Sequence, residues 1–349
     1  MLVNNIAEMF DRFEVWTAPN KLDVMGFLYA LEFRNEFKVF VEISITAPAE
    51  SQQFYRLAQN RVSNLLQKKL VDRQEDFAVF DMMGNKTIAA KDFKLFIKGY
   101  REIGGVTSTA AILLDCLMIA ATIQGLQDTL VRLPLKEYML MRGLSDIKES
   151  RQQVRRDINA LERVSFEYKG EGKQRGAWLT VKISGGTMGQ IKNGDIIFRF
   201  NQDFFDSFKS YVNRAYLFMY FPIEALKGSI RHNPYKYWLA RKISEHKRMN
   251  LGKPNENVLR VQTLINACPN FPTYEQTNRN AINRIIAPFE RDMNALNSVF
   301  TWEYVGGVPA DYDEFLAASI KIYWNNYPDK AVGDLKARKS ERKPKNKGG

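Results

Sequence analysis

Residues 156–168 read RDINALERVSFEY, and residues 291–304 read RDMNALNSVFTWEY. Allowing one inserted residue, Arg156, Asp157, Asn159, Ala160, Leu161, Val164, Glu167 and Tyr168 recur as Arg291, Asp292, Asn294, Ala295, Leu296, Val299, Glu303 and Tyr304. Ile158 and Phe166 return as the apolar Met293 and Trp302, and downstream Leu179-Thr-Val-Lys-Ile183 is echoed by Ala318-Ser-Ile-Lys-Ile322. Self-similarity of this kind marks a duplicated supersecondary unit. Each copy holds a helix end, a strand, a connection and a returning strand.

Periodicity extends the unit upstream. Val154, Ile158, Leu161 and Val164 fall at three- and four-residue steps, the apolar stripe of an amphipathic helix, with Arg151, Gln152, Arg155, Arg156 and Asn159 on its other side. Ser165–Tyr168 and Ala177–Ile183 read as two antiparallel strands around a turn with Gly170, Gly172 and Gly176. Thr109–Gln124 is apolar throughout and reads as a buried helix. Leu135–Met141 reads as a short helix stopped by Gly143, and Ser145-Asp146 is placed to open the next one. Helix, short helix, glycine turn, polar-faced helix and hairpin is the order of a winged helix-turn-helix.

The second copy repeats that order. Tyr235–Met249 reads as its first helix, Val261–Cys268 as its short one and Thr277–Asn297 as its third, which Pro288 should kink or split. Phe300–Tyr304 and Ser319–Trp324 read as its strands. Their connection, Val305–Leu316, carries Asp311, Asp313 and Glu314, an acidic tip that phosphate would repel. The first hairpin carries Lys169, Lys173 and Arg175 instead.

The expected fold is α+β: two tandem winged helix-turn-helix domains, residues 106–186 and 231–328, with an N-terminal α+β extension over residues 1–105. In the extension, Phe37, Val39, Val41, Ile43 and Ile45 alternate as in a half-buried strand. Ser51–Leu70 shows a helical stripe through Phe54, Leu57, Ala58, Val62, Leu65 and Leu66, and Ile88–Ile97 reads as a further strand. The extension is either a dimerisation element or a scaffold. Residues 187–230 form a connector that Ile196–Phe200 and Tyr216–Tyr220 mark as packed. Residues 329–349 end in KARKSERKPKNKGG, too polar and too basic to fold alone.

Composition limits the function. The 349 residues carry a formal net charge of +12, which favours a polyanionic partner, and 45% are hydrophobic, enough for two or three cores. Ala110–Thr122 is interrupted by Asp115 and too short for a membrane span, and the N-terminus, with Glu8 and Asp11, lacks a signal-peptide pattern. A cytoplasmic protein without membrane attachment is expected. Cys116 and Cys268 read as buried thiols, and His232 and His246 as surface or capping residues. No phosphate-binding glycine loop, CxxC, HExxH or GxSxG motif occurs. No catalytic residue, metal or cofactor is therefore expected.

A duplex carries dense phosphate charge, and lysine and arginine contacts release its counterions. Reading sequence needs a helix in the major groove, where arginine pairs with guanine and glutamine or asparagine with adenine. The first third helix offers Lys148, Ser150, Arg151, Gln152, Arg155 and Arg156. The second offers Thr277, Asn278, Arg279, Asn280, Asn283 and Arg284. Arg241 and Lys242, on the helix after Tyr235, are placed for backbone phosphates, as are Lys169, Lys173 and Arg175 on the first wing.

The duplicated RDINALERVSFEY and RDMNALNSVFTWEY units, with the LLDCLMIAAT helix before the first, resemble theta-type plasmid replication initiators, over about residues 105–325. The resemblance implies two units clasping successive major grooves of a repeated double-stranded DNA site, an iteron. It also implies a first unit able to form a homodimer that is inactive or represses its own gene, and origin melting that leads to loading of host replication proteins. Three other readings compete: a transcriptional regulator of a phage or mobile element, a metal-dependent nuclease or strand-transfer enzyme, and a protein-interaction module.

Overall fold

The computed structural model describes residues 53–58, 61–71, 78–90, 93–126, 128–145, 147–169, 178–185, 190–192, 194–208, 218–277 and 279–328. All belong to one unit, Thr46–Gly349. The expected strand at Phe37–Ile45, the glycine turn at 170–177 and the basic tail lie outside the described residues.

The chain is a mixed α/β structure with several small antiparallel sheets. It opens with β1 (Phe54–Ala58) and α1 (Arg61–Val71), followed by β2 (Ala78–Phe80), β3 (Lys86–Ala90) and β4 (Phe93–Ile97). The helical stripe expected over Ser51–Leu70 is thus half wrong. Phe54–Ala58 pairs antiparallel with Phe218–Pro222, and four of its five residues are buried. A strand covered on both faces is apolar on both, so its sequence mimics a buried helix. Likewise the region Ile88–Ile97 holds parts of two strands, paired from Lys86↔Ile97 to Ala90↔Phe93.

The first duplicated unit follows. α2 (Ser108–Ile123) is apolar all round, and every residue from Ala110 to Ala121 is buried, Asp115 included. It packs on β1 and on the later α4 (Lys148–Glu162), with β5 (Leu130–Pro134) and α3 (Leu135–Arg142) between them in the chain. Gly143 ends α3 in the left-handed conformation at φ 57°, which a glycine adopts without strain. α4 begins at Lys148 with Ile147 as its N-cap residue, so Ser145 does not open it; Asp146 lies outside the described residues. The hairpin is β6 (Val164–Lys169) and β7 (Trp178–Lys182). It joins the preceding meander through β4, giving one sheet in the order β2-β3-β4-β6-β7.

The connector is woven in by pairing. β8 (Gln190–Lys192) and β9 (Asp195–Arg199) extend β5 into the sheet β5-β9-β8. A bridge at Ser184↔Phe200 ties this sheet to the end of the hairpin. Gly185 permits that approach, because a Cβ there would lie 2.6 Å from the Phe200 carbonyl oxygen. After α5 (Gln202–Asp206), β10 (Phe218–Pro222) pairs with β1. Sheets therefore cross both residues 105/106 and residues 186/187.

The second unit runs α6 (Lys236–Asn250), β11 (Val258–Arg260), α7 (Val261–Ile265), a π-turn (Ile282–Ile286), α8 (Ala287–Asn294), β12 (Phe300–Val305), α9 (Tyr312–Ala317) and β13 (Ser319–Trp324). Its sheet order is β11-β13-β12. The third helix expected over Thr277–Asn297 is shorter and split. Thr277 ends a 3₁₀ turn, and Arg279 has φ 63°, off the helical path. Pro288 has no N–H to offer the Arg284 carbonyl, and the turn before it widens so that the Ala287 N–H bonds Ile282 O. Val305–Leu316 is no plain connection either, since it folds most of α9.

Candidate nucleic-acid interface

α4 shows how the first unit presents side chains. Val154, Ile158, Ala160 and Leu161 are buried beneath it, while Lys148, Arg151, Gln152, Arg155, Arg156 and Asn159 are exposed and Ser150 is half-buried. Arg156 donates from Nη2 to Gln153 Oε1 at 2.9 Å, which steadies it beside the row.

The buried member of α4 is Asp157. Its Oδ1 accepts from Gln153 Nε2 at 2.8 Å, Thr109 Oγ1 at 2.9 Å and Thr107 Oγ1 at 3.1 Å, and Thr107 is the N-cap residue of α2. Burial pushes its carboxyl up to about 6, against the pull of those three donors, and its Oδ2 is buried without a hydrogen-bond partner. Asp157 thus fastens the third helix of the unit to the start of its first helix.

Its duplicate does the same work. Asp292 on α8 is fully buried and accepts from the N–H of Tyr235, the N-cap residue of α6, at 2.7 Å. Arg291 adds an Nε–Oδ1 contact at 3.0 Å, and burial raises this carboxyl too. Sequence reading missed both roles; the signal was an aspartate repeated at one register inside an apolar stripe.

The second exposed set is smaller than expected. Asn280, Asn283 and Arg284 are exposed, and Asn283 Nδ2 donates to Asn280 Oδ1 at 3.2 Å. Arg279 is exposed but precedes the helix, and Asn278 lies outside the described residues. Thr277 is withdrawn from the set. It is buried, and its hydroxyl donates to the Tyr274 carbonyl at 2.7 Å.

Arg241 is withdrawn as well. It is buried, with Nη1 3.1 Å from Asp115 Oδ2, at ion-pair distance but without hydrogen-bond alignment. Asp115 also accepts from Tyr237 Oη at 2.5 Å and Gln67 Nε2 at 2.7 Å. Burial raises its carboxyl, opposed by Arg241, Tyr237 and Gln67. This cluster joins α1, α2 and α6 and hence both units. Lys242 is half-buried and donates to Glu245 Oε2 at 2.9 Å. On the first hairpin, Lys169 stands 5.5 Å from the ring centre of Trp178, and Lys94 stands 4.5 Å from it. Lys173 and Arg175 lie outside the described residues.

Two acidic side chains of the second hairpin, Asp311 and Glu314, serve α9. Asp311 Oδ1 accepts the Glu314 N–H at 2.9 Å, and Glu314 Oε2 accepts the Ala310 N–H at 2.8 Å. His246 bonds the Asn255 carbonyl oxygen at 3.0 Å, and His232 is exposed. Burial raises both thiols, Cys116 to about 12. Among the described residues, no group of three or more His, Cys, Asp or Glu is placed to hold a metal ion, and no helix is long and apolar enough to cross a membrane.

No protein-family model and no curated protein matches the chain. Among solved structures it is similar to the selenomethionine form of domains 2 and 3 of RctB, with a TM-score of 0.44 and 11% identity over 76% of this chain and 99% of that one. A second structure of RctB domains 2–3 is similar with a TM-score of 0.39 and 12% identity, over 77% of this chain and 98% of that one.

Proposed function

We propose that this protein reads double-stranded DNA through two winged-helix units, at repeated sites of a replication origin, and that this binding initiates plasmid replication and represses its own gene. The observation that carries the reading is the solvent face of α4, where Lys148, Arg151, Gln152, Arg155 and Arg156 stand exposed on a helix whose opposite side is buried. A helix so held is the element that enters a major groove, and its cations meet guanine edges and phosphates there. In the second unit, the pairing of β11 with the returning strand β13 supports the winged-helix reading. The origin-directed part rests on the resemblance of the duplicated units to theta-type initiators. A second copy of the chain and host replication proteins are the further partners in this reading, which needs no catalytic residue and no cofactor.

Selection of bound duplexes from a random pool tests it. We expect a motif spanning about two helical turns, with sites recurring as direct repeats. Changing Arg151, Arg155 and Arg156 together to alanine should lower affinity for that motif about 100-fold or more, at about 1–3 kcal/mol for each base-edge pairing lost. A palindromic motif would favour a transcriptional regulator. Enrichment of no motif would end the proposal.

A further inference from the structure

Two large apolar side chains stand in solvent where helix stability would not choose them. Ile147 is 51% exposed and Ile282 is 62% exposed. Ile147 is the N-cap residue of α4 and makes no side-chain cap, at a position where Ser, Thr, Asp or Asn would satisfy an N–H. Ile282 opens the π-turn before α8. Each lies nine residues ahead of the duplicated arginine (147 to 156, 282 to 291). A single exposed isoleucine is ordinary on a protein surface. The same residue exposed at the same step in both copies, at the leading end of both third helices, is not explained by scatter.

The leading end of a third helix is the part that meets base edges in this architecture. The only apolar group that a base pair offers in the major groove is the thymine C5-methyl. Resting on the DNA-reading proposal above, we infer that Ile147 and Ile282 are specificity-determining residues that each read a thymine methyl, one in each half of the bound site. The polar neighbours then differ between halves: Lys148 and Arg151 beside Ile147, Asn283 and Arg284 beside Ile282. The site would be asymmetric, with a shared thymine preference at equivalent positions of its halves.

The test uses the full chain and the duplex enriched from the random pool, with each thymine replaced in turn by deoxyuridine, which removes the methyl and nothing else. Affinity should fall about fourfold at one thymine in each half, the value of one buried methyl. In Ile147→Ala the sensitivity of one half should vanish while the other persists, and Ile282→Ala should show the reverse. Both side chains are exposed, so neither change opens a cavity. An enriched duplex indifferent to deoxyuridine at every position overturns this inference alone, as do deoxyuridine effects that survive in both variants. A pool that enriches nothing overturns the DNA reading and this inference with it.

Discussion

The two units use the same residue to hold the same joint and share the exposed pairs Ile147/Ile282, Arg156/Arg291 and Asn159/Asn294, but differ at other positions of the third-helix face. Asp157 and Asp292 each pin the third helix of their unit to the start of its first, one through threonine hydroxyls, the other through a backbone N–H. At the register that equates them, the exposed Arg151, Gln152 and Arg155 correspond to Ile286, Ala287 and Glu290. The helices also differ in build, since α4 is α-helical throughout and its counterpart passes through a π-turn just before Pro288. The strand after the first helix pairs with the hairpin in the second unit, but β5 pairs with β9 of the connector. The duplication therefore preserves the joint that orients a third helix and lets part of the exposed face diverge. Under the proposed DNA reading, two such helices would read different bases.

The equivalence breaks most sharply where the units meet. Counted from the N-cap residues Thr107 and Tyr235, Asp115 of α2 occupies the position of Ile243 in α6. Only the first unit puts a charge there, and it is spent on Arg241, Tyr237 and Gln67. Asp115→Ala leaves a buried guanidinium without a counter-charge and should cost about 3–5 kcal/mol of stability in denaturant unfolding. Asp115→Asn keeps the shape and should cost less. A loss below about 1 kcal/mol for the alanine variant would mean that the cluster does not hold the units together.

A smaller effect compares the two joints directly. The Asp157 carboxyl lies at about 6 in the folded protein against an ordinary 3.8. On raising pH, the unfolded chain loses this proton first while the folded chain keeps it. The folded state then binds more protons, so stability falls between about pH 4 and pH 6, by up to about 3 kcal/mol from this group. Asp157→Asn removes the titrating group and should flatten that part of the stability curve relative to the unchanged protein. Burial raises Asp292 as well, so Asp292→Asn should act in the same direction. A steeper curve in Asp157→Asn would reverse the sign of the argument.

Local pattern carried the sequence reading a long way. The stripe Val154, Ile158, Leu161 and Val164 is buried as its spacing demands, and Gly143 stops a helix because its left-handed backbone suits it. Pro288 perturbs its helix for the reason its missing N–H supplies, with a π-turn directly before it. The failures are non-local. Phe54–Ala58 is a strand only because Phe218–Pro222 lies beside it, and nothing within its own window distinguishes it from a buried helix. Arg241 and Thr277 looked like surface contacts until their partners Asp115 and Tyr274 arrived from other elements or a preceding turn. The exposed row on α4 was legible because its helix is regular; the second set was half lost where the helix starts late.

The least costly way to sharpen the comparison is the second hairpin. Its acidic residues read as an obstacle to phosphate, yet two of the three are committed to folding α9. Asp311 accepts the Glu314 N–H, and Glu314 reaches back to the Ala310 N–H, an exchange of the capping-box kind. The helix they start carries Phe315 onto Phe289 of α8, ring centres 5.3 Å apart, and Tyr312 onto Tyr274 at 4.9 Å. Asp311→Ala should therefore cost about 1 kcal/mol of stability, the usual value of a lost N-cap, seen as a lowered denaturation midpoint. If the capping role is the whole role, affinity for DNA stays level in the same variant. A severalfold gain in affinity, fading as salt is added, would instead put this tip close to phosphate and make it a restraint on binding that the first hairpin, with Lys169, does not carry.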